Sequence, residues 1–196
     1  MFHDIPEPVS ARMAELKELG LRQRADGVPR LQRLREVPAE VGQFLAILAA
    51  GAPAGRWVEI GTSAGYSTLW LALAAREVGA RVTTFEILEW KVELARETFS
   101  TARVEDVVDL VHADVRDGLA GVDGVSFAFL DSEKEDYLEL YELVVPKLVT
   151  GGLLVADNVA DFHDEVQPML DRAAADPRVD AVVVPFLTGQ LLCRRR

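Results

Sequence analysis

The chain has 196 residues, 49% of them hydrophobic, with a single cysteine and a formal net charge of −11. Its length suits one domain with a sizeable core, and the acidic balance opposes general attraction to phosphate backbones. No apolar run reaches the roughly 18 residues of a membrane span, no basic region followed by an apolar stretch opens the chain, and Cys193 alone can form neither an internal disulfide nor a cysteine-based metal site. A cytoplasmic protein with a buried, inert thiol is expected.

Val9, Met13, Leu16 and Leu19, with Pro8 in front and Gly20 behind, predict a first helix over Pro8–Leu19. Residues 21–35 follow with five arginines, Arg22, Arg24, Arg30, Arg33 and Arg35, against one acid, Asp26. Gly27 and Pro29 make this an irregular connection. Its arginine stems either lie on apolar neighbours as a solvated surface or form a local site for an anionic substrate or RNA. A second helix is predicted from about Pro38 to Ala50. Residues 1–37 thus read as an N-terminal extension and 38–196 as the main body of one domain.

Beyond residue 55 short β-branched runs alternate with helical stretches. The predicted strands are Arg56–Ile60, Arg81–Glu86, Val107–His112, Val125–Leu130, Gly152–Ala156, Val179–Val184 and Gln190–Arg194, with helices near 65–78, 88–102, 115–120 and 134–148. Strand–helix alternation implies a parallel sheet covered by helices on both faces. Only Pro185 to Gly189 join the last two strands, which permits a hairpin but not a parallel crossover. The expected fold is α/β and Rossmann-like: seven strands, mostly parallel with one antiparallel, and extra N-terminal helices.

Val58-Glu59-Ile60-Gly61-Thr62-Ser63-Ala64-Gly65-Tyr66-Ser67 is a strand breaking into a glycine turn and restarting as a helix. In such a sheet that junction is where a nucleotide-like cofactor lies. The spacing lacks both the Gly-x-Gly-x-x-Gly of dinucleotide binders and the Gly-Lys-Ser/Thr of a phosphate loop. Glu86, at the end of the second strand, sits where an acid can accept both ribose hydroxyls. Ile87 offers an apolar wall to the base and Asp114 an approach to the adenine edge.

Asp131 and the pair Asp157-Asn158 follow two more strands. If those strands are neighbours, about 4.8 Å apart, the two carboxylates face each other. Two such charges repel unless something positive lies between them, and a hard divalent cation, Mg2+ by preference, fits two carboxylates and an amide. The alternative is two helix-capping aspartates. Lys134 can point into the same crevice as a general base, or can balance Glu133, Glu135 and Asp136 at the surface. His3, His112 and His163 show no metal-ligand spacing, and Trp57, Trp70 and Trp90 read mainly as core.

Together Val58-Glu59-Ile60-Gly61 through Gly65-Tyr66-Ser67, Glu86, Asp131-x-x-Lys134-x-x-Tyr137, Asp157-Asn158 and the ending Leu191-Leu192-Cys193-Arg194-Arg195 resemble the cation-dependent O-methyltransferases, the group of caffeoyl-CoA and catechol O-methyltransferases. The resemblance implies S-adenosylmethionine bound at Glu59, Gly61, Thr62, Ser63, Gly65, Ser67, Glu86, Ile87 and the Ala113, Asp114, Val115 turn, with Asp131 alongside. It implies a divalent cation on Asp131, Asp157 and Asn158, with Asp131 and Lys134 as the catalytic pair, and commonly a homodimer. Two departures stand out. Only a short stretch after Asn158 precedes the next helix, so the acceptor site is expected to be open or completed by a partner subunit. The turn Phe186-Leu187-Thr188-Gly189-Gln190 lacks the aspartate often found before its glycine.

The reading is therefore a metal-dependent methyltransferase acting on a hydroxyl of a small catechol-like acceptor. The alternatives are a methyltransferase for a hydroxylated tRNA uridine, using the 21–35 arginines, and a protein that only binds S-adenosylmethionine or NAD.

Overall fold

Seven strands, β1 Arg56–Ile60, β2 Val82–Glu86, β3 Val108–His112, β4 Val125–Leu130, β5 Leu148–Ala156, β6 Val179–Val184 and β7 Gln190–Arg195, form one sheet in the order β3-β2-β1-β4-β5-β7-β6. The computed structural model describes residues 1–29 and 32–196, so Arg30 of the basic segment lies outside the described residues. β1 pairs in parallel with β2 and β4, β2 with β3, and β4 with β5, whereas β7 runs antiparallel to both neighbours. The expected single antiparallel strand is β7. It is inserted between β5 and β6 and leaves β6 at the edge.

Helices α1 Glu7–Ala25, α2 Ala39–Gly51, α3 Tyr66–Val78 and α4 Glu89–Ala102 contribute to the core on one face of the sheet, where Trp57, Phe127 and Phe129 point. Helices α5 Val115–Gly118, α6 Tyr137–Val144 and α7 His163–Ala175 contribute to the core on the other, against Val58, Ile60, Ala128 and Leu130. Successive residues of β1 and β4 thus serve opposite cores, which is why these strands read as unbroken apolar runs. Cys193 is buried, as expected. Trp57 and Trp70 are core, whereas Trp90 is substantially exposed. Among the described residues no helix is long and apolar enough to cross a membrane.

Three boundaries differ from the expectation. α1 does not stop at Gly20 but runs to Ala25, and at Gly20 the Glu36 carboxylate occupies the space a side chain would fill. Gly20 therefore serves close packing, and Arg22 and Arg24 lie on a helix rather than in an irregular connection. β5 starts at Leu148: its register on β4 jumps from Val125↔Leu148 to Phe127↔Leu153, and Gly151 at φ 81° absorbs the bulge between them. The stretch expected as one helix over 134–148 is a 3-10 turn at Lys134–Asp136, α6, and a second 3-10 turn at Val145–Lys147 containing Pro146.

α2 lies on α3 through Gly42, where an added Cβ would run into the indole ring of buried Trp70. Replacing Gly42 by valine forces that ring aside in a close-packed core and is expected to cost about 2 kcal/mol. A thermal melt of Gly42→Val should show a midpoint lowered by about 4–8 °C.

Candidate active site

The carboxyl ends of five parallel strands meet along one edge, and a cleft of about 320 Å3 opens there. Its floor is set by backbone hydrogen bonds that run past the strand ends: Gly61 N and Thr62 N donate to Phe85 O at 3.0 and 3.1 Å, Asp131 N to Ile60 O at 3.0 Å, and Asp157 N to Leu130 O at 3.0 Å. Gly61 has φ +100°, and a Cβ there would collide with the Asp131 carbonyl oxygen. Only glycine combines that conformation with so close an approach, so the cofactor turn and the first acid are fixed to each other. Gly65, also left-handed, precedes α3.

Glu86 is 6% exposed and lines the cleft. Its Oε2 accepts from Ser63 N at 2.9 Å, and its Oε1 accepts from Ile87 N and Leu88 N at 3.0 Å each. Oε2, with a single donor, keeps a lone pair for a further one. Ile87, Ala113, Asp114 and Val115 form wall beside it. The Asp114 carboxylate itself caps α5, accepting from Arg116 N at 2.9 Å, and pairs with the Arg116 guanidinium at 3.0 Å.

Glu59 corrects an expectation. It does not line the cleft; it is fully buried beneath it, on the α3 face of β1. The hydroxyls of Ser67 and Thr84 donate to it at 2.6 Å each, and Thr68 donates as well. Thr84 in turn lies 2.6 Å from Thr62 Oγ1. Glu59 thereby ties β1, β2 and the first turn of α3 into one rigid support for Gly61–Ser67. Burial pushes its carboxyl up to about 7, against the pull of those three donors.

Asp131 and Asp157 end the adjacent strands β4 and β5, as their positions predicted. Asp157 is 1% exposed. Its Oδ1 accepts from Asn158 N at 2.7 Å and from the side chains of Thr188 and Gln190. Its Oδ2 is buried and has no hydrogen-bond partner. Burial first, and the neighbouring Asp131 charge second, push the Asp157 carboxyl up to about 6. Asn158 stands beside it with a left-handed backbone, φ 63°. The contacts of Thr188 and Gln190 with Asp157 were not foreseen from the linear sequence. They reach Asp157 because β7 folds back next to β5, a pairing with no local signature.

The second correction is Lys134, which does not line the cleft. Its Nζ is bound by Asp131 Oδ1 at 2.8 Å, Ser132 O at 3.0 Å and Tyr137 Oη at 2.7 Å, three acceptors for three ammonium protons. Tyr137 Oη sits 3.2 Å from Leu130 O and 3.1 Å from Asp157 O. Lys134 and Tyr137 thus brace the ends of β4 and β5 from behind. His163 is an exposed first residue of α7, away from any ligand set.

The basic segment is a third correction to the solvated-surface reading. Arg24, Arg33 and Arg35 line the cleft; Arg24 pairs with Glu36 and Arg35 with Glu133. Residues 33–38 line the cleft together with the cofactor turn.

A seven-stranded sheet of this order, with its cleft at the carboxyl ends and an acid after β2, defines a Rossmann-like nucleotide-cofactor enzyme. Residues 9–196 match a protein-family model described as O-methyltransferase. Among relatives, a caffeoyl-CoA O-methyltransferase of Eucalyptus globulus is 29% identical over 80% of this chain and 73% of its own. A catechol O-methyltransferase of Mycobacterium tuberculosis is 37% identical over 63% of this chain and 56% of its own. The crystal structure of cofactor-bound Rv0187 from MTB is similar at 27% identity with a TM-score of 0.80, covering 97% of this chain and 91% of that one. The chain belongs to the O-methyltransferase family, of the caffeoyl-CoA and catechol type, and is by that class an S-adenosylmethionine-dependent O-methyltransferase.

The Glu59 carboxyl titrates higher in the folded chain, near 7, than its ordinary 4.5. The folded state therefore holds the extra proton between those values, and stability falls as pH rises through that window. Asp157 adds a trend of the same sign, so the measurement is a difference between wild type and Glu59→Gln. Urea melts from pH 5 to 8 should show the variant gaining on wild type as pH rises, by on the order of 3 kcal/mol across the window.

Proposed function

We propose that this chain transfers the methyl group of S-adenosylmethionine to one hydroxyl of a small acceptor carrying adjacent oxygens, a catechol or related polyphenol, with a divalent cation held by Asp131, Asp157 and Asn158. The unpartnered, buried Asp157 Oδ2 carries this reading. A carboxylate oxygen cut off from water, with a second carboxylate at the end of the adjacent strand, costs several kcal/mol unless a cation or proton satisfies it. Among the described residues no group of three or more His, Cys, Asp or Glu side chains could hold a metal, and the proposed set is two carboxylates and an amide. Such a hard-oxygen set, with positions left for water and substrate, suits Mg2+. The acceptor class rests on the relatives, whose names specify catechol and caffeoyl-CoA.

A cation held by Asp131, Asp157 and Asn158 would supply Lewis acidity that lowers the pKa of an acceptor hydroxyl. The chain's own residues do the rest by alignment. Glu86 accepts the ribose hydroxyls of the donor, with its own three backbone donors fixing the carboxylate plane. Ile87 and the Ala113–Val115 turn flank the base, and Gly61, Thr62, Ser63 and Ser67 wall the cleft toward Asp131, whereas Gly65, expected among them, faces Phe99 and Thr98 of α4 and not the cleft. Lys134 acts through Asp131: holding Oδ1, it leaves Oδ2 directed elsewhere and fixes the spacing between the two acids. Thr188 and Gln190 do the same for Asp157. Only Val159–Phe162 separate Asn158 from α7, which leaves the acceptor side uncovered by a long loop. A homodimer whose second subunit covers that side is part of this reading, and sedimentation would report it. The tRNA alternative loses support, because Arg24 and Arg35 are held in ion pairs within the chain.

Catechol with S-adenosylmethionine should yield S-adenosylhomocysteine only with a divalent cation present; EDTA should abolish turnover and excess Mg2+ restore it. Asp157→Asn should lower kcat/KM by on the order of a hundredfold or more while leaving S-adenosylhomocysteine affinity within a few-fold of wild type. Undiminished turnover in EDTA would overturn the metal role.

A further inference from the structure

The cations around the cleft are mostly paired. Arg24 holds Glu36, Arg35 holds Glu133, Arg116 holds Asp114 and Asp136, and Lys134 holds Asp131. Lys91 differs. It lies in the first turn of α4, lines the cleft and is 5% exposed. Among the described residues its ammonium has neither a hydrogen bond nor an ion pair, only the face of Trp90, with Nζ 5.6 Å from the ring centroid. Arg33, which also lines the cleft, has no ion pair among the described residues but is only half-buried.

The carboxylates nearest Lys91 are already supplied. Glu86 has three backbone donors, Asp131 has Lys134, and Glu133 has Arg35. The ammonium keeps unfilled donor positions at the cleft, and lysines are rarely so deeply buried unless an anion meets them. Burial holds Lys91 below the ordinary lysine range, Glu86 opposing that shift and Arg35 adding to it. The surrounding acids keep it from being a general anion sink, yet none of them uses its protons.

We propose that Lys91 is a recognition point of the cleft, its ammonium receiving a carboxylate of the bound ligand in a charge-assisted hydrogen bond. The proposal rests on the reading that this cleft holds S-adenosylmethionine and a phenolic acceptor. A carboxylate can come from two sources there: the amino-acid end of the methyl donor, or an acidic side group on the acceptor. Lys91→Met keeps the apolar stem and removes the charge; Lys91→Arg keeps the charge; Lys91→Gln serves if the methionine variant does not fold.

The test is calorimetric. S-adenosylhomocysteine and its analogue lacking the carboxylate are titrated into wild type and variants, and catechol and protocatechuate into the S-adenosylhomocysteine complex. If the donor supplies the carboxylate, Lys91→Met weakens S-adenosylhomocysteine roughly tenfold to a hundredfold, leaves the decarboxylated analogue unchanged, and Lys91→Arg recovers part of the loss. If the acceptor supplies it, S-adenosylhomocysteine binds as before and the preference for protocatechuate over catechol falls about tenfold. Unchanged S-adenosylhomocysteine affinity together with unchanged protocatechuate preference overturns the proposal, whether or not wild type has such a preference. A wild-type protein that fails to bind S-adenosylhomocysteine overturns the reading of the cleft as well; a purely structural Lys91 would weaken all four ligands alike and sinks the proposal alone.

Discussion

The site depends on a line of backbone hydrogen bonds that continues the parallel sheet one residue beyond its strands. Gly61 on Phe85, Asp131 on Ile60 and Asp157 on Leu130 are bonds of ordinary length, about 3 Å each. They hold the cofactor turn and both acids at fixed spacing. Two like charges this close would push neighbouring loops apart if the loops were free. Because each acid is the first residue past a paired strand, the backbone resists that repulsion, and burial first, with the Asp131 charge second, makes Asp157 hold its proton more tightly than a free carboxyl does.

Around that line the chain has placed two layers of support. Behind the cofactor turn, Glu59 gathers three hydroxyls from β2 and α3, so a buried charge, or its proton, ties the turn to the sheet. Behind the acids, Lys134 and Tyr137 on one side and Thr188 and Gln190 on the other fix the carboxylates through one oxygen each. The oxygens left over define what the cleft can take. This division explains why motif residues fall into two groups, those that face the ligand and those that hold the facing residues still.

Much of this was legible in the linear order. Strand–helix alternation gave the parallel sheet, because a crossover that returns a strand to the same sense requires a helix. The same alternation put Glu86, Asp131 and Asp157 at carboxyl ends, where an open α/β sheet binds its ligands. What the order could not give was the direction of side chains within that edge. Glu59 lies two residues from Gly61, yet the period of a strand sends it beneath the turn instead of into the cleft. Lys134 lies three residues from Asp131, and a 3-10 turn, not the start of a longer helix, points it to the rear.

Local sequence therefore determined the class of fold, the cofactor edge and the two acids, since each follows from periodicity and from chemistry carried by neighbouring residues. The tertiary structure alone decided which groups touch which. Thr188 meets Asp157 across 31 positions, Arg35 meets Glu133 across 98, and Lys91 is left without an anion by the way its neighbours have already paired. These are outcomes of packing and of competition for hydrogen bonds, and both are settled only when the whole chain has closed around the sheet.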